Sequence, residues 1–351
     1  MKVFLTGATG FIGQALVRAL RRRSWNVRAL VRDVNGAPAR WLSEKGVQLV
    51  PGDVTQPEGL RQAVAGSDVV LHNAGVYEFG SDAALRARME AVNVQGTANV
   101  LGAALEAGVA RTVYVSTVWA MGASGLLPAP AEVKDETQRH SSVYLTPYER
   151  TKAEAHQVAL ALRDRGLPLV IGMPNAVSGA NDHSIFGYLL RLYLLHAMPP
   201  LAWSASAVFS FVEVDALAEG LCLAAEKAPM GADYIFSGEP TTIRGLFGLW
   251  SRYPGGMKHL LWLPHWLARL VMLPLEPLQR AVGLPAFLSR EAVEASRAHL
   301  DYTAAKARRE LGWSHPAPDA MWESIVLRER ELVARRRGFL GRLKPQAVIP
   351  D

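Results

Sequence analysis

The chain has 351 residues, half of them hydrophobic, with 38 basic and 32 acidic side chains, nine histidines and one cysteine. That length asks for one large domain or two lobes, and the lone Cys222 forms neither an internal disulfide nor a zinc site, which fits a reducing, cytoplasmic compartment. Of the net charge of +6, residues 328–344 carry +5, with seven basic side chains against two acidic. The rest of the chain is therefore near neutral, which argues against a general nucleic-acid-binding surface.

Residues 2–5 predict a buried strand rather than a signal peptide. A glycine turn follows, Thr6-Gly7-Ala8-Thr9-Gly10-Phe11-Ile12-Gly13, and residues 14–22 continue as an amphipathic helix with Ala15, Leu16, Ala19 and Leu20 inward. Further strands are predicted at 27–31, 47–51, 69–72, 112–116 and 168–172, with long helices at 83–107 and 148–164. Strands alternating with helices imply a doubly wound parallel sheet covered on both faces, a Rossmann-type α/β fold. After Pro174 the pattern loosens. Residues 186–203 are rich in Leu, Tyr and Trp, and 257–288 form an apolar stretch interrupted by Pro264, Pro274, Pro277, Pro285 and Arg269. No run reaches the roughly 18–20 apolar residues of a spanning helix. Short helices over a smaller, mostly helical substrate lobe are the expectation, and a greasy surface meeting lipid is the sharper one. The division expected is 1–180 for the nucleotide-binding domain with 205–240 returning to it, 181–204 and 241–327 for the lobe, and 328–351 for a basic tail read as a solvated helix end.

Three local patterns carry chemistry. In the glycine turn, backbone N–H groups and the positive end of a helix converge on one spot, which suits a pyrophosphate. Gly7 permits the tight turn, Gly10 the approach of the phosphate, and Gly13 the close packing of helix on strand. In Tyr148-Glu-Arg-Thr-Lys152, positions i and i+4 share one helix face. An ammonium beside a phenol favours the phenolate and lowers a pKa that is otherwise about 10, giving an acid/base suited to alcohol–ketone interconversion. Ser116 and Thr117 lie at the carboxyl end of a strand, where open α/β sheets bind ligands, and spacing alone leaves open which hydroxyl meets the reacting oxygen. At the end of the second strand, where an NAD site places an acid on the ribose 2′-OH, stand Val31 and Arg32. An arginine there suits a 2′-phosphate, with Arg40 near enough to assist, so NADP is favoured over NAD; Asp33 keeps a carboxylate one residue away.

These motifs resemble the short-chain dehydrogenase/reductase superfamily in its extended branch, the NAD-dependent epimerase/dehydratase group, well over residues 1–240 and loosely beyond. The resemblance implies that Gly7, Thr9, Gly10, Phe11, Ile12 and Gly13 cradle the pyrophosphate, that Asp53 and Val54 hold the adenine, and that Asn73, Ala74 and Gly75 line the cofactor. It implies a place for Asn93 in the cofactor-site helix, with bridging the backbone an equal reading, and reads His72 as a packed core histidine. It makes Tyr148 and Lys152 the acid/base pair, with Lys152 also on the nicotinamide ribose, and Thr117 the catalytic hydroxyl, five residues before Gly122. Ser116 stands beside it, and Pro174, Asn175 and Val177 lie against the nicotinamide amide.

Within that branch, sugar dehydratases carry an Asp-Glu pair where this chain has Val118-Trp119, which argues against elimination. Tyr188, Leu189, Leu192, Tyr193, Leu194, Trp203 and Phe209, with few cations beyond Arg191 to hold a diphosphate, favour a bulky apolar carbonyl substrate. The nearest resemblance is to dihydroflavonol-4-reductase and 3β-hydroxysteroid-dehydrogenase-like groups, with hopanoid-associated relatives nearby. The expected protein is an NADP-dependent oxidoreductase acting on a hydrophobic small molecule. A sugar epimerase with bound NAD and an NADP-binding redox sensor are the alternatives. Peripheral membrane contact, and a homodimer through the helices at 83–107 and 148–164, are left open.

Overall fold

The computed structural model describes residues 1–77, 82–256 and 260–348. Seven parallel strands form the central sheet: β1 Lys2–Thr6, β2 Asn26–Val31, β3 Gln48–Pro51, β4 Val69–His72, β5 Arg111–Val115, β6 Leu169–Pro174 and β7 Asp233–Phe236. Their order is β7-β6-β5-β4-β1-β2-β3, with Val3 opposite both Val27 and Val69. All residues of β4 and β6 are buried, as near-continuous Val, Leu and Ile runs require in a sheet covered on both sides. Strand order reverses between β1 and β4, so a crevice opens there at the carboxyl ends of the strands.

Two cores flank the sheet. On one face Leu16, Val17 and Leu20 of the helix Phe11–Arg22 pack with Leu217, Leu221 and Cys222 of the helix Val214–Lys227. Burial pushes the Cys222 thiol up to about 12, so it stays an inert core group. On the other face lie Val100 and Leu101 of the helix Gly96–Glu106 with Ala155, Ala159 and Leu162 of the helix Pro147–Asp164. That second core runs on into the lobe through Tyr188, Phe209, Trp250 and Trp322.

The structure differs from expectation in four places. The segment 83–107 is helical but contains a π-helical stretch, Glu90–Gln95, that carries Asn93 beside the crevice. The last strand, β7, is not among the strands the pattern predicts. Pro274 and Pro277 do not break the lobe into short helices: His265–Ala281 is one helix through both. A proline costs a helix the bond to the carbonyl four residues earlier. Those carbonyls belong to Leu270 and Leu273, both exposed residues, so neither is left unpaired in the packed core. The stretch 257–259 lies outside the described residues, as does 349–351.

The basic tail is also more than a solvated end. Arg336 is buried and its guanidinium, with that of Arg191, lies against the buried Glu329 carboxylate at 3.6 and 3.3 Å. Arg191 also donates to the carbonyls of Leu343 (2.6 Å) and Asp182 (2.8 Å), and Arg336 to Asn181 Oδ1 (3.0 Å). Two guanidiniums share one carboxylate in a buried network that ties the tail to the lobe, with Arg336 Nε left without a partner among the described residues. Downstream, Ala347 accepts from the Gln14 side chain at 2.8 Å, reaching the helix that begins at the glycine turn.

Candidate active site

One cavity of about 590 Å³ runs along the carboxyl ends of the strands and into the lobe. Its first wall is backbone. Gly7 takes φ +73°, and a Cβ there would stand 2.8 Å from Ala74 N, so the loop after β4 sits directly on the turn. A Cβ on Gly13 would stand 2.0 Å from Gly7 O, so only glycine permits this helix-to-strand approach. The helix starts after Gly10 with no side chain capping its first N–H groups, which leaves donors for a ligand. Thr9, Phe11 and Ile12 line the cavity beside them. A pyrophosphate fits this cradle on charge, donors and clearance.

At the adenosine end, Arg32, Asp53 and Val54 line the cavity. One oxygen of Asp53 accepts from Thr55 N (2.9 Å) and Oγ1 (3.0 Å), which fixes the carboxylate. Asp33 does not line the cavity; it accepts from Asn35 N at 2.9 Å and closes its own loop. Arg40 is likewise turned aside, donating to Asn35 O at 2.9 Å. Arg32 is exposed at the rim.

Of the remaining candidates, Asn73, Ala74, Gly75, Ser116, Pro174, Asn175 and Val177 line the cavity, whereas Gly13 and Asn93 stand behind its wall. Asn93 bridges: it accepts from Val76 N (2.8 Å) and donates to Val76 O (3.0 Å) and Thr151 Oγ1 (3.1 Å). Asn175 spends its amide inside the protein, on Ser237 Oγ (3.1 Å) and Leu300 O (2.8 Å). His72 is a core histidine between Thr6 Oγ1 (2.7 Å) and Thr97 Oγ1 (3.1 Å), and burial holds it down at about 3.

Tyr148, Lys152 and Thr117 meet at the middle of the cavity. Thr146 caps the helix of the first two through Glu149 N at 3.1 Å, which fixes where the Tyr148 turn begins. Thr117 stands beside the Tyr148 phenol, its hydroxyl donating to Pro174 O at 3.4 Å, while Ser116 is engaged with His156 Nδ1 at 3.0 Å, so the hydroxyl beside the phenol is that of Thr117. The expected lowering of the phenol by Lys152 is not found. Lys152 Nζ donates instead to Tyr114 Oη and Val115 O, both at 3.2 Å. Burial pushes Tyr148 above its ordinary value, opposed by the Thr117 hydroxyl beside it. The phenol is thus a protonated donor at neutral pH.

Several residues of the site carry no sequence signal of their own. Tyr77 stands edge-on to Tyr148, ring centroids 4.7 Å apart. Tyr114 takes the Lys152 ammonium, a pairing that the strand register and a helix face produce only together. His183 stacks on Phe11 at 5.9 Å, and Asp182 lines the cavity with its carboxyl pushed up to about 6 by burial despite bonds from Ser184 N (2.6 Å) and Oγ (2.8 Å).

Beyond Tyr148 the cavity turns apolar, between Phe186, Leu189, Trp203, Phe247, Met272 and Leu275. Among the described residues lining it, the arginines and lysines are Arg32, Arg88 and Lys152, all from the nucleotide-binding half. Arg191, the lobe cation the sequence offers to a diphosphate, is fully buried in its pair with Glu329. Trp119 stands in the wall where an elimination carboxylate would be needed.

A glycine cradle at the switch point of a parallel sheet, with a phenol and an ammonium across from it, defines a dinucleotide-binding α/β enzyme fold. The model of the NAD dependent epimerase/dehydratase family matches residues 3–235, and the chain belongs to that family. It is 32% identical, over 90% of its length and 92% of the other, to a 4-hydroxy-2-methyl-3-oxo-4-farnesyl-3,4-dihydroquinoline-1-oxide ketoreductase of Stigmatella aurantiaca. It is 30% identical to a 3 beta-hydroxysteroid dehydrogenase/Delta 5-->4-isomerase of Mycobacterium tuberculosis, over 89% of this chain and 85% of that one. Among solved structures, gox2253 superposes with a TM-score of 0.77 at 30% identity, covering 94% of this chain and 98% of that one. MoeE5, solved with UDP-glucose and NAD, superposes at 0.73 over 95% of this chain and all of its own, at 20% identity, a likeness of fold. The chain is an oxidoreductase-type member of an NAD(P)-binding family.

Proposed function

We propose that the protein is an NADP-dependent reductase of a bulky, apolar ketone, with Tyr148 as proton donor. The observation that carries this reading is the composition of this cavity: a dinucleotide cradle at one end, Tyr148 and Thr117 at its middle, and a lobe end whose described lining is mostly apolar and holds no arginine or lysine. A nucleotide sugar needs its diphosphate neutralised, and this wall offers nothing for that. Relatives named for a farnesylated quinoline oxide and a steroid support the same substrate class.

The reduced nicotinamide, when bound, supplies the hydride. The chain's own part is to place and protonate. Gly7 to Gly13 hold the pyrophosphate through backbone N–H groups, and Arg32 meets the 2′-phosphate. Thr117 and Tyr148 bind the carbonyl oxygen between them, which polarises the carbonyl. As charge gathers on that oxygen, Tyr148 Oη gives up its proton, and Thr117 beside it favours the phenolate left behind, while Lys152 holds Tyr114 and the end of β5 in place. Hydride to carbon and proton to oxygen complete the alcohol. The apolar wall excludes water from the reacting centre.

The test is turnover with a panel of steroidal, prenylated and long-chain ketones against NADPH and NADH, beside UDP-glucose. Oxidation of NADPH by apolar ketones is expected. NAD co-purifying with the protein, together with epimerisation of the nucleotide sugar, would overturn the reading. Arg32→Ala is expected to weaken NADPH by about 10- to 100-fold, the worth of a charge-assisted contact, and to leave NADH unchanged. Equal loss of both would remove the NADP part alone.

A further inference from the structure

We infer that the outer face of the helix His265–Ala281 docks on an anionic lipid surface, and that this places the apolar end of the cavity against the bilayer. The helix is apolar on both sides. Its inner side, through Val271, Met272 and Leu275, walls the cavity. Its outer side carries Trp266, Leu270 and Leu273, 63%, 53% and 48% exposed. These stand at i, i+4 and i+7, one stripe on one face. Leu261 just before the helix is also exposed, whereas Leu278 returns to the side of Val271 and Leu275, and Val282 lies past the helix end. Large apolar side chains scattered singly are ordinary, but three of them in one stripe along a helix face mark an interaction surface.

The partner's chemistry follows from what borders the stripe. Arg269 and Arg280 flank it, and the basic tail comes to its end: Lys344 Nζ stands 3.4 Å from where a Cβ on Gly283 would be. Arg337, Arg342 and Lys344 are exposed. Arg269 is partly offset by Glu294 and Arg280 by Glu276, whereas Lys344 has no carboxylate partner among the described residues. The tail is not free to swing away, because the buried Arg191–Glu329–Arg336 network anchors it. A second copy meeting this face to face would set cation against cation. An apolar stripe with an interfacial tryptophan and a cationic border matches the edge of an anionic leaflet. Among the described residues no helix is long and apolar enough to cross a membrane, so the geometry is one of lying on the surface.

Docking is independent of catalysis; only the delivery of an apolar ketone from the bilayer rests on the reductase reading. The experiment is co-sedimentation of the full chain with phosphatidylcholine vesicles, with and without phosphatidylglycerol, without substrate. The wild type is expected to bind the mixed vesicles at least about 10-fold more tightly than the Trp266→Ser/Leu270→Ser/Leu273→Ser variant, since each exposed side chain returned to water forfeits buried apolar area. Lys344→Glu is expected to lose binding to the mixed vesicles only. Unchanged melting temperature and near-ultraviolet circular dichroism keep the triple variant interpretable; if it misfolds, Leu270→Ser alone, with a loss of about 3-fold, takes its place. No vesicle binding by the wild type, equal binding by the variants, or a wild-type dimer that the triple variant loses would each overturn the inference. If the ketone panel fails while vesicles still bind, the docking stands and the reductase reading falls.

Discussion

The two ends of the cavity are built on different principles. The cradle is made of backbone: Gly7 and Gly13 shape it, and their requirement is steric and local. The lobe end is made of side chains, Phe186, Leu189, Trp203, Phe247, Met272 and Leu275, drawn from helices and loops far apart in sequence. Backbone recognition tolerates almost no substitution, because an added Cβ meets main-chain atoms that cannot yield. Side-chain recognition is graded, because apolar walls can repack. The same fold can therefore keep its cofactor end fixed while its substrate end varies.

The largest expected effect lies where the two ends meet. Tyr148→Phe removes the proton donor and leaves the ring packed against Tyr77. Turnover of a ketone substrate is expected to fall by about 10²–10⁴-fold, the range for a general acid. The dissociation constant for NADPH, read by fluorescence, stays within about 2-fold, because the change removes one hydroxyl and no part of the cradle. Retained turnover would move the acid elsewhere and dissolve the contrast between holding and reacting.

Gly13→Ala tests the rigid end. The new Cβ would stand 2.0 Å from Gly7 O and 2.7 Å from Ala8 Cα. The helix start has to shift, at a cost of about 1–3 kcal/mol or more, and the N–H groups that face the ligand move with it. NADPH binding is expected to weaken by roughly 100-fold and the melting temperature to fall. Unaltered binding would show that the turn yields after all.

The ease with which each end is read from sequence follows the same division. The first six strands and the glycine turn are legible because burial and turn sterics act over a few residues. Tyr148 and Lys152 are legible because helix spacing puts them on one face, whereas the strand end offers both Ser116 and Thr117 and only the family resemblance singles out Thr117. What Lys152 bonds to is not, since Tyr114 lies 38 residues away and only the packed sheet and helix make them neighbours. Nor is the pairing of Arg191 with Glu329, 138 residues apart, which turns a candidate diphosphate ligand into a structural cation. Asp33 was one residue from deciding the cofactor question, and its own backbone turn removed it from the cavity. The two prolines misled because proline's cost depends on what its lost bond faces. Here it lies on the outer face of the helix, away from the packed core.

A pH titration compares the halves without mutation. His72 and His156, both behind the cradle, are held down at about 3 and about 4, by burial first and by the Lys152 charge second. Such a group stabilises the fold fully above its unfolded value near 6.5, and the stability is lost as pH falls below it. At pH 5 the unfolded chain has gained the proton and the native His72 has not, a loss of about 2 kcal/mol for that residue. Asp182 and Glu213, pushed up to about 6 and about 7 by burial, act in the opposite sense and return part of it. With His183 and His315 also held down at about 4, the histidines prevail. The urea midpoint is expected to fall from pH 7 to pH 5, and the His72 ring signal to stay neutral throughout. Protonation of His72 above pH 5 would contradict its closed environment.

The smallest effect belongs to the lobe. Leu275→Ala shortens one apolar wall residue on the inner side of the helix His265–Ala281. A lost contact of this size in an apolar pocket is worth about 1–3 kcal/mol, and the half-buried position puts it near the lower figure. KM for a bulky ketone is expected to rise about 10-fold, with kcat and NADPH affinity unchanged, because uniform binding is all that the wall contributes. A smaller or flatter ketone loses less, since it leaves Leu275 uncovered. If instead kcat falls and KM holds, the lobe acts on the transition state. The division between a rigid end that places the cofactor and a pliant end that merely admits the substrate would then have to be redrawn at Leu275.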